Sequence, residues 1–208
     1  LVTPTTDLAK EFFAKLDSLE LTRSKMEKLR TKNEIELSDV ERVYSGLFLE
    51  AFIAFEGLLE DLFFGLLEGN LQHNSNDVKP VTIEPKSAIR GILFEGEKKR
   101  YLEWMPYNIT EDRANLFFEE GKPFTQLDNG LKSNLQQLHR IRNAIAHQSE
   151  DAIKQFNEKV IGSNILAPEE QTPLGYLIGK YNVNRTGNLT RYGHYMKQLR
   201  TIVTNLAS

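Results

Sequence analysis

The stretch between Ser38 and Gly69 constrains this chain more than any other. Apolar residues recur there at three- and four-residue steps, through Phe48, Phe52, Phe55, Leu59, Leu62, Phe63 and Leu66. A strand would alternate every second residue, so this spacing predicts an α-helix of roughly 30 residues, about 45 Å long, with one wide aromatic face. The start carries a capping box, Ser38-Asp39-Val40-Glu41, in which serine and glutamate each satisfy a free backbone donor of the first turn. The stop falls near Gly69. A helix so long and so apolar must be a central packing element, and the rest of the chain must cover it.

Two further stretches repeat the helical period. Leu8, Phe12, Leu16, Leu19, Met26 and Leu29 mark an amphipathic helix over about residues 7–30, and Leu189, Tyr192, Tyr195, Met196, Leu199, Ile202, Val203 and Leu206 mark a last one. Leu131, Leu135, Leu138, Ile141 and Ile145 define a fourth, which the pattern allows to continue past His147 toward Val160. Shorter helices are expected over Ser87–Phe94, Glu97–Met105 and Glu111–Glu119, broken by Gly96, Pro106 and Gly121-Lys122-Pro123. No convincing strand pattern is present. The expected fold is all-α, a helical bundle of four long helices with additional short ones. At 208 residues and 40% apolar content the chain can bury a substantial core as one domain, with a long loop at about 70–86 and a linker at about 161–173.

The absence of cysteine removes disulfides, thiolate metal sites and a cysteine nucleophile from consideration, and a reducing cytoplasmic location is the expectation. No run of about 18 or more apolar residues occurs, so no membrane association is expected. The net charge of -3 is unevenly placed. From Asn129 to Ser149 there is no carboxylate beside Lys132, Arg140 and Arg142, and from Gln171 to Ser208 there is none beside Lys180, Arg185, Arg191, Lys197 and Arg200. Clustered cations attract a polyanion despite an acidic total, although solvated cationic helix faces would read the same way. His139, Arg140, Lys132, Arg185 and Arg191 are therefore the candidate contacts to such a polyanion. His194 is a weaker one. Tyr181, Tyr192 and Tyr195 could stack on unpaired bases, but for Tyr192 and Tyr195 helical spacing favours the core.

One charge sits where the core should be. With Leu138 at the centre of its apolar stripe, Arg142 falls only about 40° away. A buried guanidinium needs a carboxylate or must serve an anion site. Glu56, an acidic interruption in the row Phe52, Glu56, Leu59, Phe63, is the best candidate partner, and a structural ion pair between the two is as consistent with the spacing as an active site. On one ideal helix Arg142 and His147 point about 140° apart, whereas Asn143 and His147 share a face. Joint action would require the helix to bend or end near His147, or a second subunit to bring its own copy of the segment. The four histidines have no convincing ligand spacing with carboxylates, so no metal or other cofactor is expected.

The segment Leu138-His139-Arg140-Ile141-Arg142-Asn143-Ala144-Ile145-Ala146-His147-Gln148 resembles the signature of the HEPN superfamily, in which Arg and His stand four to six residues apart and Asn commonly follows the Arg. Tyr101-Leu102-Glu103-Trp104, Gly121-Lys122-Pro123-Phe124 and the Tyr- and Leu-rich last helix are similar, less specifically, to the RiboL-PSP-type subgroup. The resemblance implies a dimeric helical bundle and a metal-independent endoribonuclease of the toxin or antiviral-defence kind, with RNA as substrate. It also implies a site at the homodimer interface and leaves room for a cognate antitoxin or regulatory protein as a further partner. It further implies that His147 handles the proton of the 2′-hydroxyl or leaving oxygen, that Arg142 holds the scissile phosphate and that Asn143 orients phosphate or histidine. Two other readings remain open: a non-catalytic HEPN module that binds RNA or a protein, and a helical antitoxin or adaptor whose cationic stripe meets an acidic partner.

Overall fold

The computed structural model describes residues 2–82, 87–94, 100–181 and 189–208. Among them the architecture is an all-α helical bundle of eight α-helices: α1 (Thr5–Thr31), α2 (Leu37–Glu68), α3 (Ser87–Leu93), α4 (Tyr107–Phe117), α5 (Asn129–His147), α6 (Glu150–Phe156), α7 (Pro173–Tyr176) and α8 (Arg191–Ala207). Two two-residue strands, β1 (Thr3–Pro4) and β2 (Leu71–Gln72), pair in parallel, a contact the sequence pattern did not signal.

The long helix α2 is the packing centre, as its aromatic period predicts. It buries Phe48, Phe52, Phe55, Leu59, Leu62 and Phe63 against α1, α5, α7 and α8. Its start differs in detail from the expected one. The N-cap is Glu36, whose backbone N–H donates to Asp39 Oδ2 at 3.2 Å, so the reciprocal box lies two residues before Ser38. Asp39 is then three residues into the turn, where a short carboxylate reaches back most easily. Gly69 ends the helix in the left-handed region at φ 77°. The bundle is tied at this end: Thr5 Oγ1 donates to the carbonyl of Ala207 at 2.7 Å, and the His73 ring lies 3.3 Å from the carbonyl of Leu206.

Residues 100–105 are not helical, against the helix expected over 97–105, of which 97–99 lie outside the described residues. Pro106 bars its predecessor from the helical region, and Leu102, Trp104 and Met105 are all buried, which one face of a short surface helix would not achieve. The segment instead runs irregularly beside α2. Trp104 is its anchor, packed on Phe63 with ring centroids 5.3 Å apart and donating through Nε1 to Glu60 Oε2 at 3.0 Å. Arg113 of α4 lies over the indole at 4.5 Å and donates to the carbonyl of Glu103 at 2.9 Å. Phe117, Phe118 and Phe124 close the same aromatic cluster around Phe63.

The last helix buries Tyr192 and Tyr195 in the core, Tyr192 edge-on to Tyr44 at 5.3 Å. No helix among the described residues is long and apolar enough to cross a membrane.

Candidate active site

Helix α5 carries the site, and its two ends define it. Asp128 caps the start by accepting from the backbone N–H of Leu131 at 2.8 Å. Leu135, Leu138, Ile141, Ala144 and Ile145 face the core. The helix stops at His147 rather than running on toward Val160: Gln148 turns into the left-handed region at φ 48°, and Ser149 caps α6 by accepting from the N–H of Ala152 at 3.3 Å. Exposed His147 is thus the last helical residue, free of any following turn.

This termination removes the angular objection to a site within one chain. Arg142 Nη1 lies 3.0 Å from Nε2 of His147 and also donates to Asn143 Oδ1 at 3.0 Å. The 140° separation on an ideal helix measures only where Cβ points, and a long arginine laid along the helix surface reaches a histidine at its open end. Because a guanidinium can only donate, His147 Nε2 is the acceptor in this arrangement and the ring proton sits on Nδ1.

A second histidine completes the row. Asn143 Nδ2 lies 3.2 Å from Nε2 of His139, whose ring stacks on Phe52 of α2 at 20° between planes. Burial, reinforced by the charges of Arg142, Arg140 and His147, pushes the His139 pKa down to about 4, so the ring is neutral and accepts the amide hydrogen. That acceptor fixes which way Asn143 points, and so turns its Oδ1 toward Arg142. The four side chains form one hydrogen-bonded row from the α2 packing surface to the exposed helix end.

Neutral His139 has a consequence for stability. Its folded pKa is depressed, so below the ordinary value of 6.5 the unfolded chain takes up a proton that the folded chain refuses until about 4. Stability from this ring is complete above pH about 6.5 and lost as pH falls toward 4. Solvent screening of a half-exposed ring reduces the effect to about 1 kcal/mol. Urea unfolding of the wild type between pH 7.5 and 4.5 should therefore lose about 1 kcal/mol more than that of His139→Gln. Parallel stability curves would dismiss the neutral-histidine assignment.

Glu56 does not pair with Arg142. No ion pair or hydrogen bond joins them among the described residues, although both line one cleft of about 710 Å³. The Glu56 carboxyl is held above the ordinary carboxylate range by burial, with the charge of Arg142 opposing. The structural ion pair allowed by the spacing is therefore absent, and Arg142 meets only neutral acceptors. Its remaining N–H groups have no hydrogen-bond partner among the described residues, as an anion site requires. The cleft is also lined by the irregular segment from Tyr101 to Met105. A smaller cavity of about 290 Å³ also borders His147 and is lined by Arg140, Asn143, Ser149 and Asp151.

The other cations singled out in the sequence are placed differently. Lys132 pairs with Glu111 of α4 at 2.6 Å. Arg191 is only 6% exposed, bonded to Glu170 at 2.7 Å and to the carbonyl of Tyr176 at 3.1 Å, with the Tyr176 ring beneath it, so it is a packing residue and not an RNA contact. Arg200 pairs with Asp17 at 2.5 Å. A stretch without carboxylates in sequence is not one in space, because neighbouring helices supply them. Arg185 lies outside the described residues. Arg140 lines the smaller cavity beside His147 and has no ion pair among the described residues. His194 stacks on Tyr181 at 3.5 Å, away from the row.

Three features escaped the sequence reading. They are the neutral state of His139, the wall built on Trp104, and the extension of the cleft toward Glu56, Glu60 and Tyr101. No group of three or more His, Asp or Glu among the described residues is gathered to hold a metal ion. Compared with protein-family models, with curated proteins and with solved structures, the chain matches none.

Proposed function

We propose that this chain is a metal-independent endoribonuclease of the HEPN kind, cleaving RNA by attack of the 2′-hydroxyl on the adjacent phosphate. The observation that carries the reading is the contact of Arg142 with His147 at 3.0 Å, made at the helix end beside Asn143 and, among the described residues, without any carboxylate on the guanidinium.

The chemistry follows from the donors and acceptors present. A phosphate entering beside Arg142 draws the guanidinium to its oxygens, because a charge-assisted bond outcompetes the neutral imidazole. Nε2 of His147 is then released to take the proton from the 2′-hydroxyl. The 2′-oxygen attacks phosphorus, the bond to the 5′-oxygen breaks, and Arg142 stabilises the added negative charge. The products are a 2′,3′-cyclic phosphate and a 5′-hydroxyl end. The departing oxygen needs a proton, and neutral, half-buried His139 with its pKa near 4 is a poor source. A second copy of the chain, presenting its own His147 across a two-fold axis, would provide one, so a homodimer is part of the proposal.

The test is incubation of the protein with mixed RNA in excess chelator, followed by analysis of the ends. Cyclic phosphate with the wild type and none with His147→Ala is the expected result. Linear phosphate ends, or cleavage that persists in His147→Ala, would remove the histidine from the mechanism.

One observation favours a second reading, the non-catalytic module that binds a protein. Lys132, Arg191 and Arg200 are engaged by carboxylates, and the larger cleft carries Glu56, Glu60 and Glu103. Intact RNA after prolonged incubation, with salt-sensitive capture of a basic protein, would favour it.

A further inference from the structure

The larger cleft carries two chemically distinct sets of groups. Arg142 is its single Arg or Lys among the described lining residues, with His147 beside it, while Glu56, Glu60 and Glu103 supply carboxylates. Phosphate belongs beside Arg142, since the three carboxylates repel it. The carboxylates call instead for a group that donates hydrogen bonds. Glu60 is already used by Trp104 Nε1 at 3.0 Å. Glu56 has no hydrogen bond or ion pair among the described residues, although it is half-buried in the cleft. Tyr101 contributes an aromatic ring to the same cleft and is 73% exposed, with nothing stacked on it among the described residues. At about 710 Å³ the space is that of an ordinary small-molecule site.

We propose that the part of the cleft lined by Glu56 and Tyr101 is a nucleobase subsite selective for guanine, in which the Glu56 carboxylate accepts from the base N1–H and N2–H groups while Tyr101 stacks on the ring. The proposal rests on the ribonuclease reading for the phosphate that Arg142 holds. Guanine presents two adjacent donors on its Watson–Crick edge, which fit both oxygens of one carboxylate. Adenine and cytosine present an amino group beside a ring nitrogen that repels the second oxygen. Uracil's single donor is flanked by two carbonyls, which is the worst case. A bidentate base contact of this kind discriminates by about tenfold or more, and a stacked aromatic ring adds affinity for any base.

The experiment uses the full chain and two probes. The first is a set of oligoribonucleotides that differ in one nucleotide beside a fixed cleavable phosphate, and the second is binding of guanosine 3′-monophosphate against uridine 3′-monophosphate. Wild type is expected to cleave beside guanosine about tenfold or more faster than beside uridine, through kcat/KM, and to bind the guanine nucleotide tighter by a similar factor. Glu56→Gln should reduce both ratios to about threefold or less. Tyr101→Ala, at an exposed position where misfolding is not at issue, should weaken every substrate by about fivefold or more and leave the ratio intact. Cleavage without a guanine preference, or a preference that Glu56→Gln leaves unchanged, would overturn the subsite and spare the ribonuclease. Selective nucleotide binding without cleavage would do the reverse. Neither cleavage nor selective binding would overturn both.

Discussion

Phe63→Ala should cost about 4 kcal/mol of unfolding free energy, the largest single loss of stability expected in this chain. The ring is fully buried at 0% exposure and lies within 6 Å of the rings of Phe64, Trp104, Phe117, Phe118 and Phe124. Removing it leaves a cavity bounded by large rings that interlock with one another, so the surroundings can collapse only partly and the lost contacts are not recovered. Phe63→Leu keeps most of the volume and should cost well under half as much. The damage should also reach the cleft, because Trp104 rests on Phe63 and holds the Tyr101–Met105 wall in place. Guanidinium unfolding gives the check, with a shifted midpoint and an unchanged slope. A loss under about 1.5 kcal/mol for the alanine variant would mean that the cluster repacks and that Phe63 is not its keystone.

How much of this was legible in the sequence follows from which interactions are local. The period of α2 is written into Phe48, Phe52, Phe55, Leu59, Leu62 and Phe63, because a helix face depends only on spacing along one segment. The site segment was legible for the same reason: Arg142, Asn143, His139 and His147 sit on one helix, and three contacts among them join residues one, four and five apart. Ideal helical angles set Arg142 and His147 apart, and of the ways out that they left, an end of the helix near His147 is the one present, with the length of the arginine completing the contact. The segment over 100–105 was misread because Leu102, Trp104 and Met105 are apolar at spacings that suit several conformations, and their burial against α2 and α4 decides among these. Lys132, Arg191 and Arg200 of the cationic stretches were misread in a related way. Their counter-charges Glu111, Glu170 and Asp17 lie far away in sequence and meet Lys132, Arg191 and Arg200 only after folding. His139 belongs with these, because its neutrality comes from Phe52 and burial between helices rather than from its neighbours in the chain.

Arg142→Lys should lower RNA cleavage by about a hundredfold or more while leaving the melting temperature within a few degrees. The two expectations belong together. A lysine keeps the positive charge and most of the packed stem, so a purely electrostatic attraction for RNA would survive the change. The planar fork is lost: one guanidinium nitrogen now reaches both Asn143 Oδ1 and His147 Nε2 at 3.0 Å, and its other donors are left for phosphate oxygens, an arrangement a single ammonium cannot reproduce. Stability should hold because no carboxylate is paired with Arg142 among the described residues, so no buried ion pair is broken. If Arg142 were instead a structural residue, the lysine variant would melt markedly lower and any remaining folded protein would cleave normally. Wild-type activity in a stable Arg142→Lys variant would end its assignment to the phosphate. The neighbouring His147 separates a site held by one chain from one shared by two. When wild-type chains are mixed and exchanged with His147→Ala chains, the rate should fall below the share of wild-type chains, because a mixed dimer keeps one contact of Arg142 with His147 at 3.0 Å but lacks the partner's His147 as proton donor. A rate strictly proportional to the share of wild-type chains would confine each site to one chain.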